Sequence, residues 1–433
     1  MDPRVGAQAL MNVLVLGASG LIGQALTQGL IARGYAVTAL ARAISVPSRR
    51  MPNARWVKAD LRNISSPQDW AVLLSGVDVV VNCAGALQDG ARDDVKAVQD
   101  DAMRALYLAA NKSTLIVQIS AHTDGAGADL PFLVTKRAAD EALAKAGLPF
   151  VILRPAIVIG RNAYGGSALL RALAAIPYCS PLSSPSSPMR FIALTDLIGA
   201  VSDAIEGVIA PGSDIELAGP GTFSLAEAVA RHRQWLGLGP VRPLTIPQGL
   251  ARLVGRAADG LGRLGWRSPL RSTALIVAKG GIANPLATQS GRSLDAALNA
   301  NPAGIADLWF ARLYLLKPIV IGVLSFFWLA SGAIALLRFD ASVAQLAAGG
   351  FGPTIASATT LLTSCADLAL GALVLVRRHS AVALKGMLIL SLAYLGAATI
   401  LTPSLWLDLL GPLVKVLPAS VLALVALAIL DER

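Results

Sequence analysis

The sequence predicts a doubly wound α/β domain built on a parallel sheet, followed by an all-α membrane domain of four helices. Three observations predict it. An apolar run at 13–16 (VLVL) ends in a glycine-rich turn that opens a stretch of helical period, LIGQALTQGLIA. Further short β-branched runs at 36–40, 55–57, 77–82, 115–119 and 150–153 recur at the spacing of strand–helix–strand units. Beyond about Leu313 the chain is almost continuously apolar, whereas the part before it has ordinary charge density.

The glycine turn is the most specific element. It reads Gly17-Ala18-Ser19-Gly20-Leu21-Ile22-Gly23, between a strand and a helix, which is the setting that a dinucleotide fingerprint requires. Gly17 permits the tight turn, Gly20 lets the backbone approach a pyrophosphate, and Gly23 lets helix and strand pack closely. The phosphates then meet the positive end of the helix. Ser19, Leu21 and Ile22 belong to the same berth. The second strand is followed by Arg42, where an acidic residue would read the ribose hydroxyl of NAD; a cation there suits the 2′-phosphate, so NADP(H) is expected over NAD(H). A solvated loop arginine is the alternative.

Four motifs in order, GASGLIG, Asp60-Leu61, Asn82-Cys83-Ala84-Gly85 and Arg154-Pro155-Ala156, resemble the extended and atypical short-chain dehydrogenase/reductases over residues 12–235. That resemblance implies a Rossmann domain in which Asp60 and Leu61 lie against the adenine. Cys83, Ala84 and Gly85 would line the coenzyme, and Pro155 would lie near the nicotinamide. Within the family, ISAHTDGAG and SDIELAGPGTFSLAEAV are most similar to the atypical group that includes the NADPH-binding accessory subunit of respiratory complex I.

The catalytic pattern departs from that family. Its tyrosine–lysine pair, four residues apart, reads Phe132 and Lys136 here. The lysine is expected to hold the nicotinamide ribose, but phenylalanine has no proton to exchange. The family's serine register falls on Ala121; Ser120, His122 and Thr123 are the available substitutes, and Ser120 and Lys136 are the catalytic candidates. Hydride transfer to a quinone or an activated alkene asks less of a phenol than reduction of a sugar ketone.

Residues 1–240 are expected to form this domain, with 1–10 either a short tail or upstream of a start at Met11, and with a small substrate lobe at about 160–240. There AYGGSALLRALAAIP and LTDLIGAVSDAIEG read as helices, SPLSSPSSP as a loop, and FSLAEAVARHRQWLG as a helix with a serine cap. Residues 241–312 read as a basic juxtamembrane segment. In PQGLARLVGRAADGLGRLGW, leucines and arginines alternate at helical spacing; the helix either lies flat on an anionic leaflet or packs on the first domain.

Four apolar segments, 318–337, 353–376, 381–402 and 406–430, each reach the roughly 20 residues needed to span hydrocarbon. Arg312 and Lys317 precede the first and Arg377 and Arg378 lie between the second and third, while the outer side holds only Arg338 beside Asp340. The bias puts the Rossmann domain and both termini in the cytoplasm, at an inner (plasma) membrane. Asp367 and Lys415 fall inside spans, and mutual pairing is one way to hold them there; lysine snorkelling with a protonated aspartate is the other. The segment from RLYLLKPIVIGVLSFFWLASG onward resembles the DoxX-like four-helix membrane family, which implies a redox association and no particular site residue.

The net charge of +10 comes without a basic stripe interleaved with aromatics, so no nucleic-acid partner is expected. Three cysteines and three histidines lack metal-ligand spacing, and no metal is expected. The expected partners are membrane lipids, a lipophilic small molecule such as a quinone, isoprenoid or lipid, and a membrane protein complex. Two functions fit: an oxidoreductase, or a non-catalytic NADP(H)-binding structural or redox-sensing subunit.

Overall fold

The computed structural model describes residues 11–431 apart from 92, 124–126, 283–287, 290 and 410. The expected tail at 1–10 and residues 124–126 of the ISAHTDGAG segment lie outside the described residues.

Among the described residues, eight parallel strands form one sheet: β1 (Asn12–Leu16), β2 (Ala36–Ala41), β3 (Arg55–Lys58), β4 (Val79–Asn82), β5 (Leu115–Ile119), β6 (Phe150–Pro155), β7 (Ser213–Ala218) and the two-residue β8 (Thr288–Gln289). Their spatial order is β8-β7-β6-β5-β4-β1-β2-β3, which reverses direction at β1. Leu16, the last residue of β1, pairs with Leu40 on one side and Asn82 on the other. A ligand crevice opens at such a switch point, beyond the carboxyl ends of the strands.

Alternation along β1 shows why the sheet is covered on both faces. Val13 and Val15 join a core with Leu26 and Leu30 of helix α1 (Leu21–Ala32) and with Leu197 and Val201 of the helix Leu194–Ile205. Leu14 and Leu16 join the opposite core with Met103 and Leu106 of Ala102–Ala109 and Leu143 of helix α2 (Pro131–Lys145). A strand buried on both faces reads as a continuous apolar run, as VLVL does.

In the lobe, the helix Leu225–Trp235 begins at a capping box: Ser224 Oγ accepts from Glu227 N at 3.2 Å, and Glu227 Oε2 accepts from Ser224 N at 2.7 Å. The Ser/Pro run differs from the expected loop. Its start, Cys179–Leu182, is a strand paired in parallel with Arg242–Thr245.

The stretch 241–312 is more than a basic linker. Helix α3 (Gln248–Arg263) is followed by the helices Ser272–Gly280 and Leu294–Asn299, and β8 lies between them. The chain divides into two compact units, and Ser268–Leu308 belongs with the first, while Gly260–Arg267 and Trp309–Arg433 form the second. Sequence period identified α3 but neither of the two later helices nor the return to the sheet edge, because short elements carry too few residues to show a period and a two-residue strand has no pattern of its own.

The helices Ile305–Leu337, which enters the second unit at Trp309, Pro353–Leu373 and Ser380–Leu401 are long and apolar enough to cross a membrane. The fourth apolar helix, Pro412–Ala428, has 17 residues, about 26 Å at the usual rise. Thus the expected span at 406–430 is shorter, because Pro403–Trp406 forms a separate 3-10 turn and Gly411 turns left-handed (φ 53°) before the helix. A further helix, Phe339–Ala348, was not foreseen. The first two spans approach closely where side chains are small: a Cβ on Gly332 would lie 2.6 Å from Ser364 O, and Ser325 Oγ donates to Gly371 O at 2.7 Å. The expected Asp367–Lys415 pair does not form. Asp367 accepts from Ser331 Oγ at 2.9 Å and Tyr394 OH at 2.8 Å, and Lys415 is exposed. Hydroxyls on the neighbouring helices satisfy the carboxyl group more directly than a lysine from the fourth.

Candidate functional site

The glycine turn has the geometry that a phosphate berth needs. Gly17 has φ +69°, and a Cβ there would lie 2.9 Å from Ala84 Cα, so the turn and the residues after β4 touch backbone to backbone. A Cβ on Gly23 would lie 2.3 Å from Gly17 O, and one on Gly20 3.1 Å from the same atom. Gly20 is the N-cap of α1 and makes no side-chain cap, and the first turn holds no acidic residue. The leading N–H groups of α1, including those of Leu21, Ile22 and Gly23, are therefore not engaged by a capping side chain and present the positive end of the helix. These residues fit a dinucleotide pyrophosphate.

Beside the turn, Asn82 shapes the next segment. Its Oδ1 accepts from Ala84 N at 2.9 Å while its Nδ2 donates to Gln118 Oε1 at 2.9 Å. That fixes Cys83, Ala84 and Gly85 at the end of β4. Burial pushes the Cys83 thiol up to about 12, despite the nearby Lys136, so it stays a neutral wall. A Cβ on Gly85 would stand 3.7 Å from Lys136 Nζ, so the glycine leaves room beside the lysine.

Phe132, Lys136 and Asp140 form one stripe of α2, each a turn apart, and the stripe faces the end of β5. Phe132 is buried in a small apolar cluster with Val95 and Leu133, against which Ala121 packs. Lys136 Nζ donates to Ile119 O at 3.0 Å. Burial pulls the lysine below its usual range, with Asp140 and Cys83 opposing. Asp140 Oδ2 accepts from Ser120 Oγ at 2.5 Å and from Arg154 Nη1 at 2.9 Å, and Arg154 also holds Asp214 at 2.7 and 2.8 Å. Burial raises Asp140, against the pull of Ser120, Arg154 and Lys136. Ser120, a catalytic candidate from sequence, is thus committed to a buried polar network. His122 Nδ1 lies 2.7 Å from Glu216 Oε1 on β7. Pro155 ends β6, its Cα paired with Leu217.

Beyond the carboxyl ends of β2 and β3 lie two ion pairs. Arg42 Nη2 bonds Asp93 Oδ1 at 2.9 Å, and Arg62 Nη2 bonds Asp60 Oδ2 at 2.6 Å. The bonds from Arg62 hold Asp60 below the usual carboxylate range, with Arg42 adding to the effect. Asp60 also caps the turn Leu61–Asn63, where Leu61 is buried. Sequence reasoning missed Arg62, although its place directly after Asp60-Leu61 put a second cation beside the first.

Gln99 was missed as well. It lies in a π-type turn (Ala97–Asp101), and its Oε1 accepts from Ala86 N at 3.0 Å. Its Nε2 donates to Phe132 O at 3.1 Å and Thr135 Oγ1 at 2.9 Å. This one side chain ties the Cys83–Gly85 wall to the helix carrying Lys136, and no local motif announces such a long-range bond.

Residues 17–170 match a family described as NAD(P)H-binding, and residues 325–424 match the DoxX-like family. An uncharacterised protein of Mycobacterium tuberculosis is 25% identical over 240 residues, covering 54% of this chain and 25% of that protein. A Mycobacterium bovis protein matches over the same extent. The chain thus spans about a quarter of the length of the curated relatives it matches. Among solved structures, Pal from Bacillus thuringiensis shares the fold with a TM-score of 0.50 at 14% identity, over 67% of this chain and 98% of that one. The Bacillus cereus UDP-glucuronic acid 4-epimerase, solved with UDP-glucuronic acid and NAD, gives 0.45 at 21% identity, over 54% and 86%.

Proposed function

We propose that this chain, an NAD(P)-binding Rossmann domain of short-chain dehydrogenase/reductase type joined to a DoxX-like membrane domain, is an NADP(H)-dependent oxidoreductase acting on a lipophilic substrate. The substrate is a quinone, isoprenoid or other lipid, reached from the cytoplasmic side of the membrane. The observation that carries the reading is the continuous wall from the glycine turn through Ala84 and Gly85 to Lys136.

Each residue has a role in that reading. The α1 N-terminus and Gly17, Gly20 and Gly23 hold the pyrophosphate, with Ser19, Leu21 and Ile22 around it. Arg42, with Arg62 beside it, meets the ribose 2′-phosphate; Asp60 and Leu61 bound the adenine. Cys83, Ala84, Gly85 and Pro155 line the nicotinamide half, and Lys136 holds its ribose. The bound nicotinamide supplies a hydride. Phe132 supplies no proton, so the acceptor takes its proton from water or from His122, whose imidazole Glu216 orients. An acceptor that is electrophilic without a phenol fits such a site, and a quinone is of that kind.

A specific observation favours a second reading. With Phe132 in the tyrosine position and Ser120 bonded to Asp140, the domain binds nucleotide without turnover and serves a membrane assembly as a structural or redox-sensing subunit. Single-turnover mixing of the detergent-solubilised chain, loaded with NADPH, against a panel of quinones separates the two. Oxidation of the coenzyme supports the enzyme, and retention of reduced coenzyme across the panel supports the subunit.

A further inference from the structure

Helix α3 presents three distinct faces along its 16 residues. Gly255, Ala258 and Gly262 are buried. At Gly255 this face packs on the helix Ser272–Gly280: a Cβ there would lie 3.0 Å from Leu275 Cδ1 and 3.3 Å from Ser272 Cα. Asp259, at the edge of that face, accepts from Ser272 N and Arg271 Nε, both at 3.3 Å, and from Gln88 Nε2 at 3.2 Å. The helix is therefore fixed by one face and is free on the others.

A second face is apolar and open. Leu250 is 52% exposed and Leu253 64%, with Val254 and, just past the helix, Leu264 in the same stripe. Helical spacing puts 250, 253, 254, 257, 261 and 264 on one side. The third face holds Arg252, Arg256 and Arg263, all exposed. Such an apolar stripe costs free energy in water, and arginines along its flank complement negative charge.

The residues that follow are built into the membrane unit. Leu264 O accepts from Arg377 N at 3.0 Å, and Trp266 Nε1 donates to Leu375 O at 2.6 Å. Lys317 and Arg377 stand 5.9 and 5.6 Å from the Trp266 ring centre, and both donate to Leu430 O. Thus Leu264 and Trp266 lie at the basic end of the apolar helices, where headgroups belong.

We infer that the open face of α3 docks on an anionic phospholipid surface, with Leu250, Leu253 and Val254 among the upper acyl segments and Arg252, Arg256 and Arg263 among the phosphates. The inference is independent of what the nucleotide site does. It also joins the two readings of this segment: the helix packs on its neighbour with its glycines and on lipid with its leucines.

The test uses the full chain in lipid nanodiscs carrying either phosphatidylglycerol or phosphatidylcholine with a photoactivatable diazirine in the acyl chain, with adducts mapped by mass spectrometry. Adducts are expected on Leu250, Leu253 and Val254, at least about fivefold more with the anionic lipid. The triple change R252E/R256E/R263E is expected to bring that labelling down to the zwitterionic level while the apolar spans label as before, which shows that the variant is folded. The inference is overturned if the stripe stays unlabelled by either lipid while the spans label, as it would be under a protein partner or in water. Equal labelling by both lipids, or labelling indifferent to the triple change, overturns it equally.

Discussion

Lys136 donates from Nζ to Ile119 O at 3.0 Å, which holds an ammonium at the carboxyl end of β5 one helical turn from Phe132. In the proposed function this contact keeps the lysine beside the nicotinamide ribose, although position 132, one turn before it, is a phenylalanine. Replacing Lys136 by Met is expected to weaken NADPH binding about ten- to hundredfold, the worth of a charge-assisted hydrogen bond. Fluorescence titration of the full chain in detergent checks this, and an unchanged affinity would remove the lysine from the site.

Gly17→Ala tests the turn itself. The new Cβ meets Ala84 backbone at 2.9 Å in a left-handed conformation, so both the berth and the β1–β4 contact are strained. Loss of nucleotide binding with a stability cost of about 1–3 kcal/mol is expected. Chemical denaturation of the variant reads the second quantity separately from the first.

In the proposed function Arg42 is the residue that selects between the two coenzymes. Arg42→Ala is expected to reduce NADPH affinity about tenfold or more and to leave NADH affinity unchanged. Since Asp93 holds Arg42 at 2.9 Å, Asp93→Asn should act in the opposite direction on NADPH. Equal effects of either change on the two coenzymes would dissociate these residues from the 2′-phosphate.

Phe132→Tyr places a phenol one turn from Lys136. Where the remaining site is intact, carbonyl reduction is expected to rise about a hundredfold or more above that of the natural chain. A steady-state assay against small ketones is sufficient. No gain at all would mean that substrate does not reach this position.

His232 gives the first unit an acid sensitivity. It is fully buried, its Nδ1 donates to Ala228 O at 2.8 Å, and its Nε2 has no partner. Burial lowers its pKa from 6.5 to about 4. Below 6.5 the unfolded chain takes up a proton that the folded chain refuses, so stability present above 6.5 is lost as pH falls toward 4, by about 3 kcal/mol in all. Thermal unfolding at pH 7 and pH 5 is expected to fall more for the natural chain than for His232→Gln.

What the sequence disclosed, and what it withheld, follows the range of the interactions. The strands around the site were legible because β-branched runs such as VLVL encode burial on both faces locally, and the glycine turn announces itself within seven residues. Lys136 followed from register. By contrast, Gln99 acts on residues 13 and more positions away, Asp93 reaches Arg42 across 51, and Asp140 meets Arg154 only after folding. The pairing of Asp367 with Tyr394 and Ser331, in place of Lys415, was hidden for the same reason. A carboxyl group in an apolar helix demands a partner, but its identity depends on which neighbours pack beside it.

The most direct measurement is equilibrium binding of NADPH, NADP+, NADH and NAD+ to the full chain in detergent, followed by calorimetry. One nucleotide per chain, with the phosphorylated pair bound more tightly and the Gly17→Ala chain binding none, is the predicted result. A natural chain that is folded and takes up heat from none of the four would contradict the account.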